Sequence, residues 1–151
     1  METLSTYSGK NNELNVKDIL RIGDLVYFEG PLLSLYQDRY NHLYIFDWVD
    51  RDNKCNRWLV YRVTPQVLMQ FLKGDLSHYE LFEQRGDTYS IDIENSGRLL
   101  FDSDLLKLAE VPLIYYPNKD DYFDIEDCLQ YEKIKRTLED VISKIEKTED
   151  K

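Results

Sequence analysis

The 151 residues carry 29 acidic side chains against 19 basic ones, for a net charge of −10, and 42% of them are hydrophobic. That length suits one domain with a sizeable core, and the acidic field disfavours direct binding of nucleic acid or of an anionic membrane, which it repels at long range. No apolar run approaches the roughly 20 residues that span a bilayer, and Met1 to Asn15 lacks the apolar stretch of a secretory signal, so the expectation is a soluble, cytoplasmic protein.

In chain order, residues 1–15 are rich in Ser, Thr, Asn and Lys and read as a flexible N-terminal arm. A first strand runs from Leu20 to Phe28. Glu29-Gly30-Pro31 then punctuates it, because glycine admits positive φ and proline lacks a donor, and we expect a turn there rather than a site. Leu32 to Tyr36 resumes an extended pattern, and the polar Gln37 to Asn41 suits a hairpin loop. Leu43 to Val49 is apolar on both faces. Tyr44, Phe46 and Trp48 alternate against Leu43, Ile45, Asp47 and Val49, the pattern of a central strand with a helix over one face. Asp50 to Asn56 is a charged hairpin loop, and Trp58 to Val63 returns as the partner strand.

Thr64-Pro65 is a helix start, since Thr caps and Pro suits the first helical position. Val67, Leu68, Phe71 and Leu72 share one face, and Gly74 ends the helix. Ser77-x-x-Glu80 is a capping-box pattern opening a second short helix through Phe82. Asp87 to Ile93 and Arg98 to Asp102 read as a hairpin around Asn95-Ser96-Gly97. Leu105 to Ile114 is ambiguous, with Pro112 and Pro117 against a long helix. From Asp124 to Lys147 there is no Gly or Pro, and Ile125, Cys128, Leu129, Leu138, Val141, Ile142 and Ile145 recur at helical spacing. The fold class is therefore α+β: a mainly antiparallel sheet of five to seven strands, one short packed helix and a long C-terminal helix. The divisions expected are an arm over 1–15, the sheet domain over 16–118 and the C-terminal helix over 119–151.

Chemistry is sparse. Cys55 and Cys128 lack CxxC spacing and read as reduced thiols. His42 and His78 stand 36 residues apart with no ligand motif around them, so we expect ordinary loop or surface histidines. Asp50-x-Asp52-Asn53 opens like a calcium loop but puts Lys54 where an oxygen ligand is needed and has no glycine at the sixth position. No phosphate-cradling glycine loop and no GxSxG elbow occurs. Neither a metal, a cofactor nor a catalytic residue is called for.

Four features point to binding instead. Strict alternation puts Asp47 among apolar neighbours, where a buried carboxylate needs a partner, and Arg57 or Arg62 on the next strand is the expected one. Asp47, Trp48, Trp58 and Arg62 then form a candidate ligand pocket, within an aromatic set that includes Tyr27, Tyr36, Tyr44 and Tyr61. Asp120, Asp121, Asp124, Glu126 and Asp127 form one dense acidic patch. Tyr131, Ile134, Leu138, Val141 and Ile145 step by threes and fours, an a/d seam fit either for packing on the sheet or for a partner. The basic run from Lys133 to Arg136 is too short to imply DNA binding.

The stretch from Asp24 to Phe82 resembles a family of small uncharacterised bacterial domains. The matching residues are Tyr27-Phe28-Glu29-Gly30-Pro31, Trp48-Val49-Asp50, Trp58-Leu59, Val63-Thr64 and Leu72-Lys73-Gly74. The resemblance implies a bacterial or phage origin and a small α+β domain, and it brings no catalytic residues with it. Taken together, the expectation is a non-catalytic protein-interaction module, in a bacterial regulatory or phage-defence setting, working through the C-terminal seam on a protein partner or as a homodimer. Two alternatives stand beside it: an acidic inhibitor or nucleic-acid mimic that binds a basic protein, and a small-ligand domain that takes a nucleotide.

Overall fold

A computed structural model describes residues 10–94 and 104–149. Among these residues seven antiparallel strands form one sheet: β1 (Lys10–Asn15), β2 (Ile19–Tyr27), β3 (Pro31–Asp38), β4 (Leu43–Arg51), β5 (Cys55–Val63), β6 (Thr88–Glu94) and β7 (Asp104–Leu108). The α-helices α1 (Pro65–Leu72), α2 (His78–Glu83) and α3 (Tyr131–Glu149) accompany it. The class is α+β, as the sequence implies.

The strand order is β1-β7-β6-β5-β4-β3-β2, so two strands consecutive in the chain occupy opposite edges of the sheet. Only the 3₁₀ turn Val16–Asp18 joins them. The step from Asn15 to Ile19 reaches at most about 14 Å, whereas seven flat strands would hold their edges about 29 Å apart. The sheet must therefore coil until its edges approach each other at this turn. Lys10–Asn15, inside the expected flexible arm, is thus a paired edge strand, bonded to β7.

β4 is central, between β3 and β5, and Leu43, Tyr44, Ile45, Phe46 and Asp47 are all buried. One face of the sheet carries the larger core, where Leu25, Leu35, Ile45, Leu59 and Tyr61 meet Leu68, Phe71 and Phe82 from α1 and α2 and Ile134, Leu138 and Val141 from α3. The other face holds a smaller cluster of Ile19, Tyr44, Phe46, Val60 and Tyr89, with Tyr36 and Trp58 against it. Tyr36 stacks on Phe46 at 4.0 Å between ring centres.

The local signals act as their chemistry dictates. Glu29 and Gly30 adopt φ of 56° and 141° in the β2–β3 turn, which Phe28 N–H closes on Gly30 O at 2.9 Å. Thr64 Oγ1 accepts from Val67 N–H at the start of α1, and Gly74 sits at φ 81° beyond its end. Both bonds of the Ser77–Glu80 capping box are made. In the β4–β5 loop Asp52 Oδ1 accepts from the N–H groups of Lys54 and Cys55, each at 2.8 Å, so that acidic stretch builds its own turn.

One boundary differs from the sequence reading, and the ambiguous region takes a definite form. The helix expected from Asp124 starts at Tyr131, because Asp124 caps a separate 3₁₀ turn over Ile125–Asp127 and Cys128 is extended at φ −107°. Cys128 is buried, but Ile125 and Leu129 are exposed. The partner of β6 is Asp104–Leu108, within the ambiguous region, and Leu113–Tyr115 is a 3₁₀ turn. The expected strand Arg98–Asp102 and the Asn95-Ser96-Gly97 turn lie outside the described residues.

The a/d seam is spent inside the chain. Ile134 and Leu138 are wholly buried, Val141 is nearly so, and Tyr131 and Ile145 pack partly buried against the same core. α3 lies against β2 and α1, not open to a second copy along that face. What lets it come so close is Gly23. A Cβ there would stand 2.8 Å from Gln130 Cβ, 3.0 Å from Gln130 Oε1 and 3.3 Å from Ile134 Cδ1. Beside it, Gln130 Oε1 accepts from Asp24 N–H at 2.8 Å and Cys128 Sγ donates to Asp24 O at 3.3 Å, fastening the start of α3 to β2. Gly23→Ala should therefore lower stability by about 1–3 kcal/mol, since Gln130 Cβ has no rotamer that moves it aside. Urea denaturation measures this, and an unchanged midpoint would mean that α3 shifts freely on the strand.

Candidate functional site

Alternation along β4 turns Asp47 onto the helix-bearing face, and only 4% of its surface is exposed. Neither expected arginine reaches it. The register sets Asp47 opposite Leu59, whereas a bulge between Trp48 and Asp50 puts Arg57 opposite Asp50. On its other side Arg57 faces Asp92, which it grips through Nε and Nη2 at 2.8 and 2.9 Å. Arg62 is two strand positions past Val60, on the sheet's other face.

The partners of Asp47 are Tyr61 and His78. Tyr61 Oη and His78 Nε2 both reach Asp47 Oδ2 at 2.8 Å. A carboxylate oxygen only accepts, so both groups donate, and the imidazole proton sits on Nε2. Burial with the Asp47 charge and hydrogen bond pushes the Tyr61 hydroxyl well above its ordinary value. For His78, burial pulls the pKa down, but the Asp47 charge and hydrogen bond, helped by Asp121, outweigh it and the net shift is upward.

His78 is placed by its neighbours. Ser77 caps α2, so residue 78 opens the helix with its ring over β4 beside Phe71, 6.4 Å between ring centres. His78 N–H donates to Asp121 O at 2.7 Å, and a bridge from Ser77 to Tyr122 holds the 121–122 segment alongside. Three parts of the chain thus meet at one histidine that sequence reasoning had set aside as ordinary.

Beside Asp47 and His78 opens a cleft of about 340 Å³, walled by Val26, Leu33, Phe71 and Tyr122 and lined also by Asp121, Asp124 and Asp127. Among the described residues no lysine or arginine lines it. Trp48 borders the cleft, although its indole N–H is engaged with Asn56 Oδ1 at 2.9 Å. The acidic carboxylates do not gather around a point: among the described residues no three His, Cys, Asp or Glu side chains form a metal-ligand set.

No protein-family model, no curated protein and no solved structure matches this chain.

The site residues read from the sequence accordingly divide. Asp47, Trp48, Asp121, Asp124 and Asp127 come together at the cleft, whereas Asp120 and Glu126 are exposed and outside its lining. Trp58 packs against the small cluster on the opposite sheet face, 6.5 Å from Phe46. Arg62 lies at the other end of β5, in a second cavity. Tyr131, Ile134, Leu138, Val141 and Ile145 serve the core. Both cysteines are free and buried, and burial pushes the Cys128 thiol up to about 11. Among the described residues no helix is long and apolar enough to cross a membrane.

Proposed function

We propose that the protein is an interaction module that receives a basic side chain of a partner protein in the carboxylate-lined cleft. The observation that carries this reading is the lining itself: four aspartates and, among the described residues, no lysine or arginine, in a cleft of about 340 Å³. Phe71 and Tyr122 add apolar and aromatic wall, which suits the methylene stem and cationic head of lysine or arginine. The net charge of −10 supports it by steering a basic partner inward. An acidic surface that copied nucleic-acid phosphates would spread its charge outward. Three of the five patch residues instead line a concavity, which favours a gripped side chain. A homodimer through α3 has less support, because its apolar seam is buried within the chain.

The test is fluorescence anisotropy with a labelled Lys/Arg-rich peptide and a Glu-rich control. We expect the basic peptide alone to bind, with affinity falling steeply as salt rises to about 0.3 M. The triple variant Asp121→Asn/Asp124→Asn/Asp127→Asn, at exposed positions that leave the core untouched, should weaken binding at least about tenfold. Equal binding by the variant, or an affinity indifferent to salt, overturns the proposal.

A further inference from the structure

The second cavity, about 620 Å³, opens at the opposite ends of β4, α1 and α2 from the acidic cleft, and its chemistry is reversed. Arg62 and Arg85 line it in a chain that is otherwise strongly acidic. Arg85 is half-buried: its guanidinium stacks on Phe82 at 3.9 Å, donates Nε–H to Thr88 Oγ1 at 2.9 Å and Nη1–H to Phe82 O at 2.8 Å. None of these partners is a carboxylate. Arg62 is exposed, and its side chain has no ion pair among the described residues. Asp87 lines the cavity too, so its lining sets two guanidiniums against one carboxylate, a net positive charge that favours an anion.

The backbone adds to this. The first turn of α1 lines the same cavity through Thr64, Pro65 and Gln66. Thr64 Oγ1 caps Val67 N–H, and Pro65 has no donor, which leaves the Gln66 N–H of an eight-residue helix with no acceptor among the described residues. The negative groups nearby are accounted for. Asp87 pairs with Lys107 at 3.4 Å, and Asp38, behind the wall, holds His42 Nδ1 at 3.1 Å.

The rest of the lining defines the body of the ligand. The amides of Asn41, Gln66 and Gln84 offer donors and acceptors, and among the described residues no Phe, Tyr or Trp lines the cavity. A nucleobase would find only the His42 ring and the guanidinium planes to stack on, whereas a ring bearing hydroxyls would find hydrogen-bond partners in these amides. We infer that this cavity is a binding site for a small, hydroxyl-rich phosphorylated molecule of the sugar-phosphate class, its phosphate held between Arg62, Arg85 and the first turn of α1. The site is independent of the acidic cleft.

Amide-resolved NMR titration of the full chain tests this with four probes: a hexose 6-phosphate, the same hexose unphosphorylated, inorganic phosphate and adenosine monophosphate. The hexose phosphate should shift the amides of Arg62, Val63, Thr64, Gln66 and Gly86, and the bare hexose should shift none. Arg62→Gln, at an exposed position with no side-chain partner among the described residues, should leave the thermal midpoint unchanged and weaken binding at least about tenfold. Three results overturn the inference: no shifts by about 10 mM ligand, shifts that persist undiminished in Arg62→Gln, or inorganic phosphate or the nucleotide binding as tightly as the sugar phosphate.

Discussion

Placing aspartate at both Leu138 and Val141 should unfold the entire protein, sheet included. Leu138 is fully buried and Val141 is 2% exposed, in the cluster that joins α3 to β2 and α1. Truncating a buried leucine to alanine costs about 2–5 kcal/mol, and a carboxylate buried without a partner adds to that. Two such changes exceed or match the stability of an ordinary domain, about 5–15 kcal/mol. Far-UV and near-UV circular dichroism should both lose their folded signatures at room temperature. The matched control is Lys135→Asp/Glu139→Lys on the exposed face, which should change stability by no more than about 0.5 kcal/mol at each site. A double-aspartate variant that keeps its near-UV spectrum and loses only helical signal would make α3 an appendage of the sheet.

That expectation turns on a point the sequence alone leaves open. An a/d seam has the same spacing whether it meets another helix, a second copy or a sheet, so periodicity marks the buried face without naming what buries it. The deciding residue is Gly23, more than a hundred positions away. Its missing side chain makes room for Gln130 and Ile134, and nothing in a lone glycine announces this. The N-terminal limit of α3 is obscured for a different reason. Ile125, Cys128 and Leu129 keep helical spacing, but Asp124 Oδ1 accepts from Glu126 N–H at 3.0 Å and diverts the chain into a 3₁₀ turn.

What was legible is what short-range chemistry decides. The two-faced pattern of β4, the Thr64 cap, the Ser77–Glu80 box and the Glu29-Gly30 turn depend on residues within four of each other. The candidate site depends on the opposite kind of information. Alternation shows that Asp47 is buried, but its partner is chosen by a bulge that shifts Arg57 out of register and by a helix that lays His78 across the strand from 31 positions downstream. The two cavities are further still from the sequence, since each assembles from several elements at one end of the sheet. Their opposite charge becomes visible only once Arg62 and Arg85 stand together at one end and the aspartates of 121–127 at the other.

Removing the Asp47 charge should reverse the sign of the contribution that His78 makes to the pH dependence of stability. In the native chain the folded-state pKa of His78 is raised above the unfolded value of about 6.5. A histidine of that kind contributes stability that is fully present below the unfolded pKa and is lost as pH rises through the folded one. Asp47→Asn keeps the shape of the side chain and an acceptor for Tyr61 but removes the charge, so burial of the ring, the largest influence on His78, is opposed only by Asp121. Its folded pKa then falls below the unfolded value, and protonation on the acid side costs stability. The difference in unfolding free energy between native and variant proteins, measured by urea denaturation from about pH 5.5 to 8.5, should therefore be largest at the acid end and shrink toward the alkaline end. His42 and the carboxylates other than Asp47 are common to both proteins and cancel in that difference, and a carboxyl group ordinarily titrates only below this window. Asp47→Ala should be worse at every pH, because it leaves the fully buried Tyr61 hydroxyl without its acceptor at about 1–3 kcal/mol and strands the His78 N–H as well. A native–variant difference that is flat across this range would show that the His78 bond works as a neutral contact, and that charge plays no part in holding α2 over β4.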